Sequence, residues 1–280
     1  MKFGTVIHGI RGEALIAAAQ KAEELGFESL WRPDHLIFPT EMPSTYPYAE
    51  DGQAPLDPRW PFMDGLTVFT YIASHTTTIR FGTAVFILPL RDPVSTAKTV
   101  ADLDYLTRGR VLFGVGAGWL EEEFDMVGLD FHTRGARMDE CIAVLRALWT
   151  EPEPEFHGEH YDLGPAAFEP KPFQKPHPPI LVGGETPAAL RRAARLGDGW
   201  YALRHTPESA RGHVARLTEL REQYGRSDLP FDVTVNGSPS ITRDEVEALE
   251  EAGVNRIVVT LWRSSRDAIP ALEEFAERLL

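Results

Sequence analysis

The sequence predicts a (β/α)8 barrel, and two observations support this fold. Eight short apolar runs recur along the chain, and each except the last is followed by a turn signal and then a helical pattern. Buried strands that alternate with amphipathic helices indicate parallel βα units. The length of 280 residues suits one barrel better than two smaller domains. We therefore expect a single domain over residues 1–280, with its chemistry at the carboxyl ends of the strands.

The predicted elements alternate along the whole chain. We expect strands at residues 3–7, 28–32, 79–87, 110–115, 179–182, 199–203, 231–236 and 256–262. We expect helices at about residues 13–25, 64–74, 93–106, 120–149, from 187 onward, 207–224, 242–252 and 266–280. Gly128 and Gly135 are expected to interrupt the long fourth pattern. Thr186 and Pro187 fit the cap and the first position of the next helix.

Two long connections depart from the regular rhythm. Residues 37–63 contain six of the prolines and little periodicity; they follow a strand, so we expect a lid over the catalytic face. Residues 151–178 precede a strand and are expected to form a hairpin and a Pro-rich connector on the opposite face.

Composition excludes several kinds of partner. A formal net charge of −14 argues against nucleic acid, because phosphate binding needs a basic surface. No run approaches the roughly 18 apolar residues of a membrane span. Cys141 is the only cysteine, so an intrachain disulfide is impossible and a reducing compartment fits. The apolar start of the chain is interpreted as a first strand rather than a signal peptide, and we expect a cytoplasmic protein.

Schiff-base chemistry and metal-dependent chemistry are both disfavoured, because the strand ends lack the residues that they require. The five lysines fall in predicted helices, at the N-terminus or in the connector, so none is placed to form a Schiff base. Clusters of metal-ligating residues are also missing at the strand ends, and we predict no catalytic metal. His157 and His160 have ligand-like spacing but belong to the hairpin on the other face.

Glycines at two strand ends suggest where a cofactor could bind. The segment GVGAGW, residues 114–119, lacks the third glycine of a dinucleotide fingerprint, but its bare backbone would let a flat ring approach. The segment GGETP, residues 183–187, lies directly before a helix N-terminus, where N–H groups and the helix dipole favour a phosphate. A simple tight turn is the alternative at the second site.

One histidine–carboxylate pair, Asp34-His35, lies just beyond the second strand. A histidine there can exchange a proton near neutral pH, or it can merely pin the lid by hydrogen bonds. His8 is a weaker candidate for the pocket, and Trp31 and Trp119 could wall a flat cofactor.

Other charged groups near the strand ends are given structural roles. Arg91 and Asp92 are expected to form a loop ion pair. The acids at residues 121–123 begin a helix, where they favour the dipole.

The ordered segments LWRPDHLIFP, GTAVFILP, RGRVLFGVGAGWLEEEF, RGARMDE and KPFQKPHPPILVGGETPAALRRAARLGDGW closely resemble the bacterial-luciferase-like oxidoreductases. The resemblance covers nearly the whole chain. The lid segment YPYAEDG resembles the branch that uses the deazaflavin coenzyme F420.

The resemblance implies a luciferase-like barrel that binds F420 or FMN at its carboxyl-terminal face. The ring would rest against the third strand, over a non-prolyl cis peptide that corresponds to Ala84-Val85. The implied neighbours of the ring are Gly116, Ala117 and Gly118, and those of the phosphate are Gly183, Gly184, Glu185 and Thr186. His35 matches the histidine near the reactive centre, with Asp34 orienting it. Trp119 replaces an acid of relatives that oxidise sugar phosphates, which argues against that substrate class.

The expected function is F420-dependent hydride transfer to or from a small organic substrate, with the lid aromatics favouring an apolar one. The first alternative is an FMN-dependent monooxygenase that uses O2 and is supplied by a separate reductase; an F420 reductase would have the same role for the deazaflavin. A non-catalytic flavin-binding barrel is the second alternative. The family resemblance also implies that a homodimer is possible.

Overall fold

A computed structural model describes residues 1–10, 12–262 and 264–280. Within these ranges, eight parallel strands close into a barrel surrounded by helices, as the sequence predicts. The strands of the protein are β1 (Lys2–Val6), β2 (Ser29–Arg32), β3 (Arg80–Thr83), β4 (Phe86–Ile87), β5 (Val111–Gly116), β6 (Phe156–His157), β7 (Asp162–Leu163), β8 (Ile180–Gly183), β9 (Gly199–Ala202), β10 (Asp232–Gly237) and β11 (Arg256–Val259).

The sheet closes because its first and last strands pair. β1 is hydrogen-bonded to β2 on one side and to β11 on the other, and the ladder continues through β3, β5, β8, β9 and β10. The third predicted strand is divided into β3 and β4, which flank a cis peptide bond between Ala84 and Val85. The expected non-prolyl cis bond is therefore present.

The helices are α1 (Glu13–Glu24), α2 (Gly65–Ala73), α3 (Pro93–Leu106), α4 (Glu121–Met126), α5 (Arg134–Thr150), α6 (Pro187–Leu196), α7 (Pro207–Gln223), α8 (Arg243–Glu251) and α9 (Ala268–Leu279). The Thr186 side chain caps α6 by accepting the N–H of Ala189, as predicted. Gly128 separates α4 from α5 with φ of 72°, also as predicted. The break expected at Gly135 is wrong, because this residue lies within α5. A glycine costs a helix only about 1 kcal/mol, and the buried face of α5 offsets it.

The two long connections differ in structure. Residues 37–63, all of which the structure describes, contain turns and bends but no helix or strand. They follow β2 and cover the carboxyl ends of the barrel strands. β6 and β7 form an antiparallel hairpin after α5.

Two ionic features stabilise the opposite end of the barrel. Arg256 is fully buried and donates to both carboxylate oxygens of Glu28, at 2.8 and 3.0 Å, and to Asp232 at 2.7 Å. These contacts join β11 to the starts of β2 and β10. The N-terminal amine of Met1 lies 2.8 Å from Glu250 in α8. In the described ranges, no helix has both the length and the apolar character that crossing a membrane requires.

Candidate active site

A large cavity opens at the carboxyl ends of the barrel strands, beneath the lid. Its volume is about 1890 Å³, enough for a ligand and a cofactor of several hundred Å³ each. Its walls come from the ends of β1, β2, β5, β8, β9 and β11, from the cis peptide Ala84-Val85 and from the lid. Every predicted site residue except Trp31 lines this cavity.

His35 is held by a buried acid from a distant part of the sequence. Its Nδ1 lies 2.8 Å from Oε2 of Glu123, and only a tenth of its side chain is exposed. The Glu123 side chain is fully buried at the start of α4, and its Oε1 accepts the N–H groups of Leu36 and Ile37. The role expected for Asp34 as orienting partner is wrong, since Glu123 occupies that position. The acids at residues 121–123 therefore do more than favour the helix dipole.

Asp34 instead belongs to a second ionic group beneath the cavity. Its Oδ1 accepts from Arg91 at 2.7 Å, and its Oδ2 accepts the N–H of Ile87 at 3.2 Å. Arg91 also contacts Asp64, the cap of α2, at 3.2 Å, so the expected pair of Arg91 with Asp92 is wrong; Asp92 caps α3. Burial raises the pKa of Asp34 to about 6, although the Arg91 charge opposes the shift.

Val85 fills the space that the glycines at two neighbouring strand ends leave open. A Cβ on Gly116 would lie 2.4 Å from one Val85 methyl group, and a Cβ on Gly183 would lie 2.7 Å from the other. The expectation of an empty backbone surface at Gly116 is therefore wrong: the missing Cβ accommodates Val85. Gly118 has φ of 85°, and a Cβ there would meet Ile87 and Phe124. Val85 and Ala117 form an apolar part of the cavity wall next to the cis peptide.

The turn before α6 keeps the features of an anion site. Gly184 has φ of 109°, and its carbonyl accepts the indole N–H of Trp200. The Glu185 side chain turns away, accepting the N–H of Leu203 at 3.1 Å and lying 3.2 Å from His205; the His205 contact lowers the pKa of Glu185. The N–H groups of Glu185 and Thr186 have no acceptor among the described residues. Two arginines line the same end of the cavity: Arg134 and Arg192.

Aromatic rings enclose the imidazole of His35. The centroids of Phe38, Phe62 and Trp119 lie 4.6, 5.9 and 6.1 Å from it. Tyr46 of the lid packs edge-on against Trp119 at 5.0 Å. On this side the surroundings of the imidazole are apolar.

Trp31 lies below the cavity rather than in its wall. Its indole is fully buried in the barrel interior and donates to Ser29 at 2.7 Å. Glycines on both neighbouring strands make room for it, because a Cβ on Gly4 or Gly82 would lie 2.5 or 2.4 Å from the ring. The expectation that Trp31 contacts a cofactor is therefore not met, whereas Trp119 lines the cavity.

Within the described ranges, no cluster of three or more His, Cys, Asp or Glu residues has a metal-binding arrangement. His157 pairs with Asp162 across the β6–β7 hairpin at 2.5 Å. Cys141 is buried in α5, and burial raises the pKa of its thiol to about 12.

Comparison with known proteins defines the class. The family model of luciferase-like monooxygenases matches residues 4–278. The chain belongs to this family and is an enzyme of the oxidoreductase type.

Individual relatives differ in cofactor. An uncharacterised protein of Mycobacterium tuberculosis is 38% identical over 87% of this chain and 83% of its own length. The F420-dependent glucose-6-phosphate dehydrogenase of Kineococcus radiotolerans is 30% identical over 83% of this chain and 65% of its own. The FMNH2-dependent dimethylsulfone monooxygenase of Pseudomonas putida is 34% identical over 55% of this chain and 42% of its own. The crystal structure of monooxygenase RslO1 from Streptomyces bottropensis superposes with a TM-score of 0.79 at 22% identity, covering 100% of this chain and 98% of that one. The relatives define the family and leave the choice between deazaflavin and flavin open.

Proposed function

We propose that this protein is a coenzyme F420-dependent oxidoreductase that transfers a hydride between the deazaflavin and a small organic substrate. The observation that carries the proposal is the His35–Glu123 pair. His35 lines the cavity, where its imidazole can donate or accept a proton, and its Nδ1 contacts the buried carboxylate of Glu123. Hydride transfer to or from an alcohol, imine or activated alkene requires a matching proton transfer, and a histidine so placed supplies it.

The cavity fits a flat ring with an anionic side chain. Val85 and Ala117 form an apolar surface next to the cis peptide Ala84-Val85. The turn at residues 184–186 lies directly before the N-terminus of α6. Backbone N–H groups and the helix dipole favour negative charge at that end. Arg134 also lines the cavity, whereas Arg192 is already paired with Asp139. The deazaflavin supplies the hydride chemistry when it is bound.

The protein's own residues would then perform three tasks. His35 exchanges a proton with the substrate through the edge of its ring that faces the cavity. Glu123 fixes the orientation of that ring through its contact with Nδ1. Phe38, Phe62 and Trp119 exclude water and favour a substrate with an apolar body. The lid at residues 37–63 would close over the site, since its tyrosines already pack against the wall.

An FMN-dependent monooxygenase is the second candidate. The resemblance to the dimethylsulfone monooxygenase of P. putida favours it, and the same apolar wall and anion site would suit FMN. Such an enzyme would depend on a separate flavin reductase for its reduced cofactor.

A parallel titration of the purified protein with F420 and with FMN, followed by cofactor fluorescence, tests the proposal. We expect F420 to bind at least tenfold more tightly than FMN. The variant His35→Asn should bind F420 as the wild type does but turn over about 100-fold more slowly. Tighter binding of FMN with O2 consumption would replace the proposal by the monooxygenase. Full turnover by His35→Asn would contradict the role of His35, and a variant of Asp125, an exposed acid on α4, controls for surface changes.

A further inference from the structure

Arg32 is a buried cation without a carboxylate partner. Its side chain is 4% exposed and forms no ion pair within 4.0 Å among the described residues, although the charges of Asp64 and Asp34 act on it from a greater distance. Its Nε donates to the carbonyl of Met63 at 3.1 Å and its Nη1 to the carbonyl of Ile7 at 2.8 Å. Within the described ranges Nη2 donates to no protein acceptor, and Arg32 lines the cavity. Nη2 retains solvent access, so it can donate to a ligand in the cavity.

Two other buried arginines show how the protein satisfies such a group elsewhere. Arg256 engages all three nitrogens with Glu28, Asp232 and Thr234. Arg110, which also lacks a carboxylate, engages all three nitrogens with neutral oxygens: those of Thr107, Thr76, Ile79 and Ala73. Neither of them lines the cavity. Arg32 therefore differs from both: its Nη2 has no protein acceptor among the described residues, and its side chain lines the cavity.

His8 provides a second unsatisfied group next to Arg32. It directly follows Ile7, whose carbonyl holds Arg32, and its ring stacks on Trp262 with centroids 6.3 Å apart. Its Nε2 is buried, lacks a hydrogen-bond partner among the described residues and belongs to a side chain that lines the cavity. Burial and the nearby Arg32 charge lower the pKa of His8, so the ring is neutral at pH 7 and one nitrogen remains a donor.

Phe62 places this pair within reach of the proposed reaction centre. The Arg32 guanidinium carbon lies 5.9 Å from the Phe62 ring centroid, and the His35 ring lies 5.9 Å from the same centroid. A small molecule in contact with Phe62 would thus lie near both Arg32 and His35.

We propose that Arg32 and His8 form a subsite for an anionic oxygen of the substrate, and that the substrate is a small, apolar carboxylate. A carboxylate would accept from Nη2 of Arg32 in a charge-assisted hydrogen bond. Its negative charge would also favour the protonated form of His8, in which Nε2 donates as well. The assignment of a substrate to the subsite rests on the proposed function, whereas binding of an anion to it can be measured independently.

Calorimetric titration with benzoate, and with benzamide as its neutral analogue, tests the proposal on the F420-loaded and the cofactor-free protein. We expect benzoate to bind more tightly than benzamide in both. Arg32→Met should weaken benzoate at least tenfold and leave benzamide and F420 unchanged. Arg32→Lys should recover part of the loss, because it retains the charge but cannot also bind the carbonyls of Met63 and Ile7 as the guanidinium does. Arg59→Met, at an exposed position in the lid, should leave both probes unchanged and serves as the charge control.

Any one of three results would contradict the proposed subsite. The first is that benzoate binds the wild type no better than benzamide does. The second is that Arg134→Met removes benzoate binding while Arg32→Met does not. The third is that Arg32→Met weakens the binding of F420 rather than of benzoate, which would assign the guanidinium to the cofactor. Retained benzamide binding by Arg32→Met shows that the variant is folded. Failure of F420 to bind would refute the proposed function without changing the benzoate comparison in the cofactor-free protein.

Discussion

The carboxylate of Glu123 lies 2.8 Å from Nδ1 of His35, although 88 positions separate the two residues in the chain. The same carboxylate accepts the N–H of Leu36 at 2.6 Å. One fully buried acid therefore holds both the imidazole and the segment that leads into the lid.

Replacing Glu123 by Gln should weaken proton exchange at His35. The amide retains the size of the acid and can still accept from Leu36, but it no longer carries a charge beside Nδ1 of His35. We expect turnover to fall about tenfold or more, which is part of the factor that general acid–base catalysis supplies. The loss should fall on kcat, while F420 affinity stays within about threefold of the wild type. Asp125→Asn is the matched control on the same helix, and a wild-type kcat in Glu123→Gln would assign Glu123 a purely structural role.

Asp34 should make the folded protein less stable as pH rises from 4 to 6. Its pKa is raised from 3.8 to about 6 by burial, so the folded state binds more protons than the unfolded state in this window. The free energy of unfolding of the wild type, relative to that of Asp34→Asn, should therefore fall by about 2 kcal/mol between these pH values. Urea denaturation at pH 4, 5 and 6 measures this difference.

Asp64 provides the contrast for that experiment. Burial opposes the shift, but the Thr67 N–H and the Arg91 charge lower its pKa, so its contribution to stability is lost only when pH falls below 4. The difference between the wild type and Asp64→Asn should stay nearly constant from pH 4 to 6. A falling difference for Asp64→Asn as well would assign the pH effect to Arg91 rather than to Asp34.

Val85 and Gly116 should be energetically coupled. A Cβ on Gly116 would lie 2.4 Å from a Val85 methyl group, so Gly116→Ala should destabilise the protein by about 1–3 kcal/mol through overpacking. Val85→Ala removes that methyl group and should recover much of the loss in the double variant. The free energies of unfolding of the two single variants and the double variant measure the coupling.

Gly114 supplies a control for this coupling. A Cβ there would lie 2.0 Å from the backbone carbonyl oxygen of Thr83, and no change at Val85 can relieve it. Gly114→Ala should remain equally destabilised in the Val85→Ala background. Recovery there too would show that Val85→Ala merely stabilises the barrel in general.

Glu122 should hold the lid against α4. Its Oε1 accepts the N–H of Ser44 at 3.0 Å, and Arg59 is the only basic residue of positions 37–63. Glu122→Ala should speed tryptic cleavage after Arg59 several-fold, because local opening exposes the lid. Asp125→Ala should cleave at the wild-type rate. Equal rates for Glu122→Ala and the wild type would show that the Ser44 contact does not restrain the lid.

Local sequence patterns predict most of the fold. Apolar runs followed by turn and helix signals place each barrel strand within one to three residues of its observed ends, because burial of both strand faces leaves a continuous apolar signal. The Thr186 cap is also predicted, since its chemistry lies within four residues. Gly135 is mispredicted because packing of the helix outweighs a local preference.

The features of the site that could not be predicted depend on contacts between residues far apart in the sequence. His35 is recognisable from its place after a strand, but its partner Glu123 is hidden among three consecutive acids at a helix start, where the helix dipole already explains them. A sharper signal is the position of Glu123 beside Phe124 on the buried face of α4. The match of Gly116 to Val85 likewise depends on two strands brought together only by folding.

The pairing of β1 with β11 also constrains how the chain can reach this state. The ladder that closes the barrel joins the first strand to the last one, so every shorter N-terminal piece has two open sheet edges. Such edges are templates for association with other chains. During synthesis, β1 therefore gains its second neighbour only after β11 has been made, and until then that edge is exposed to other chains.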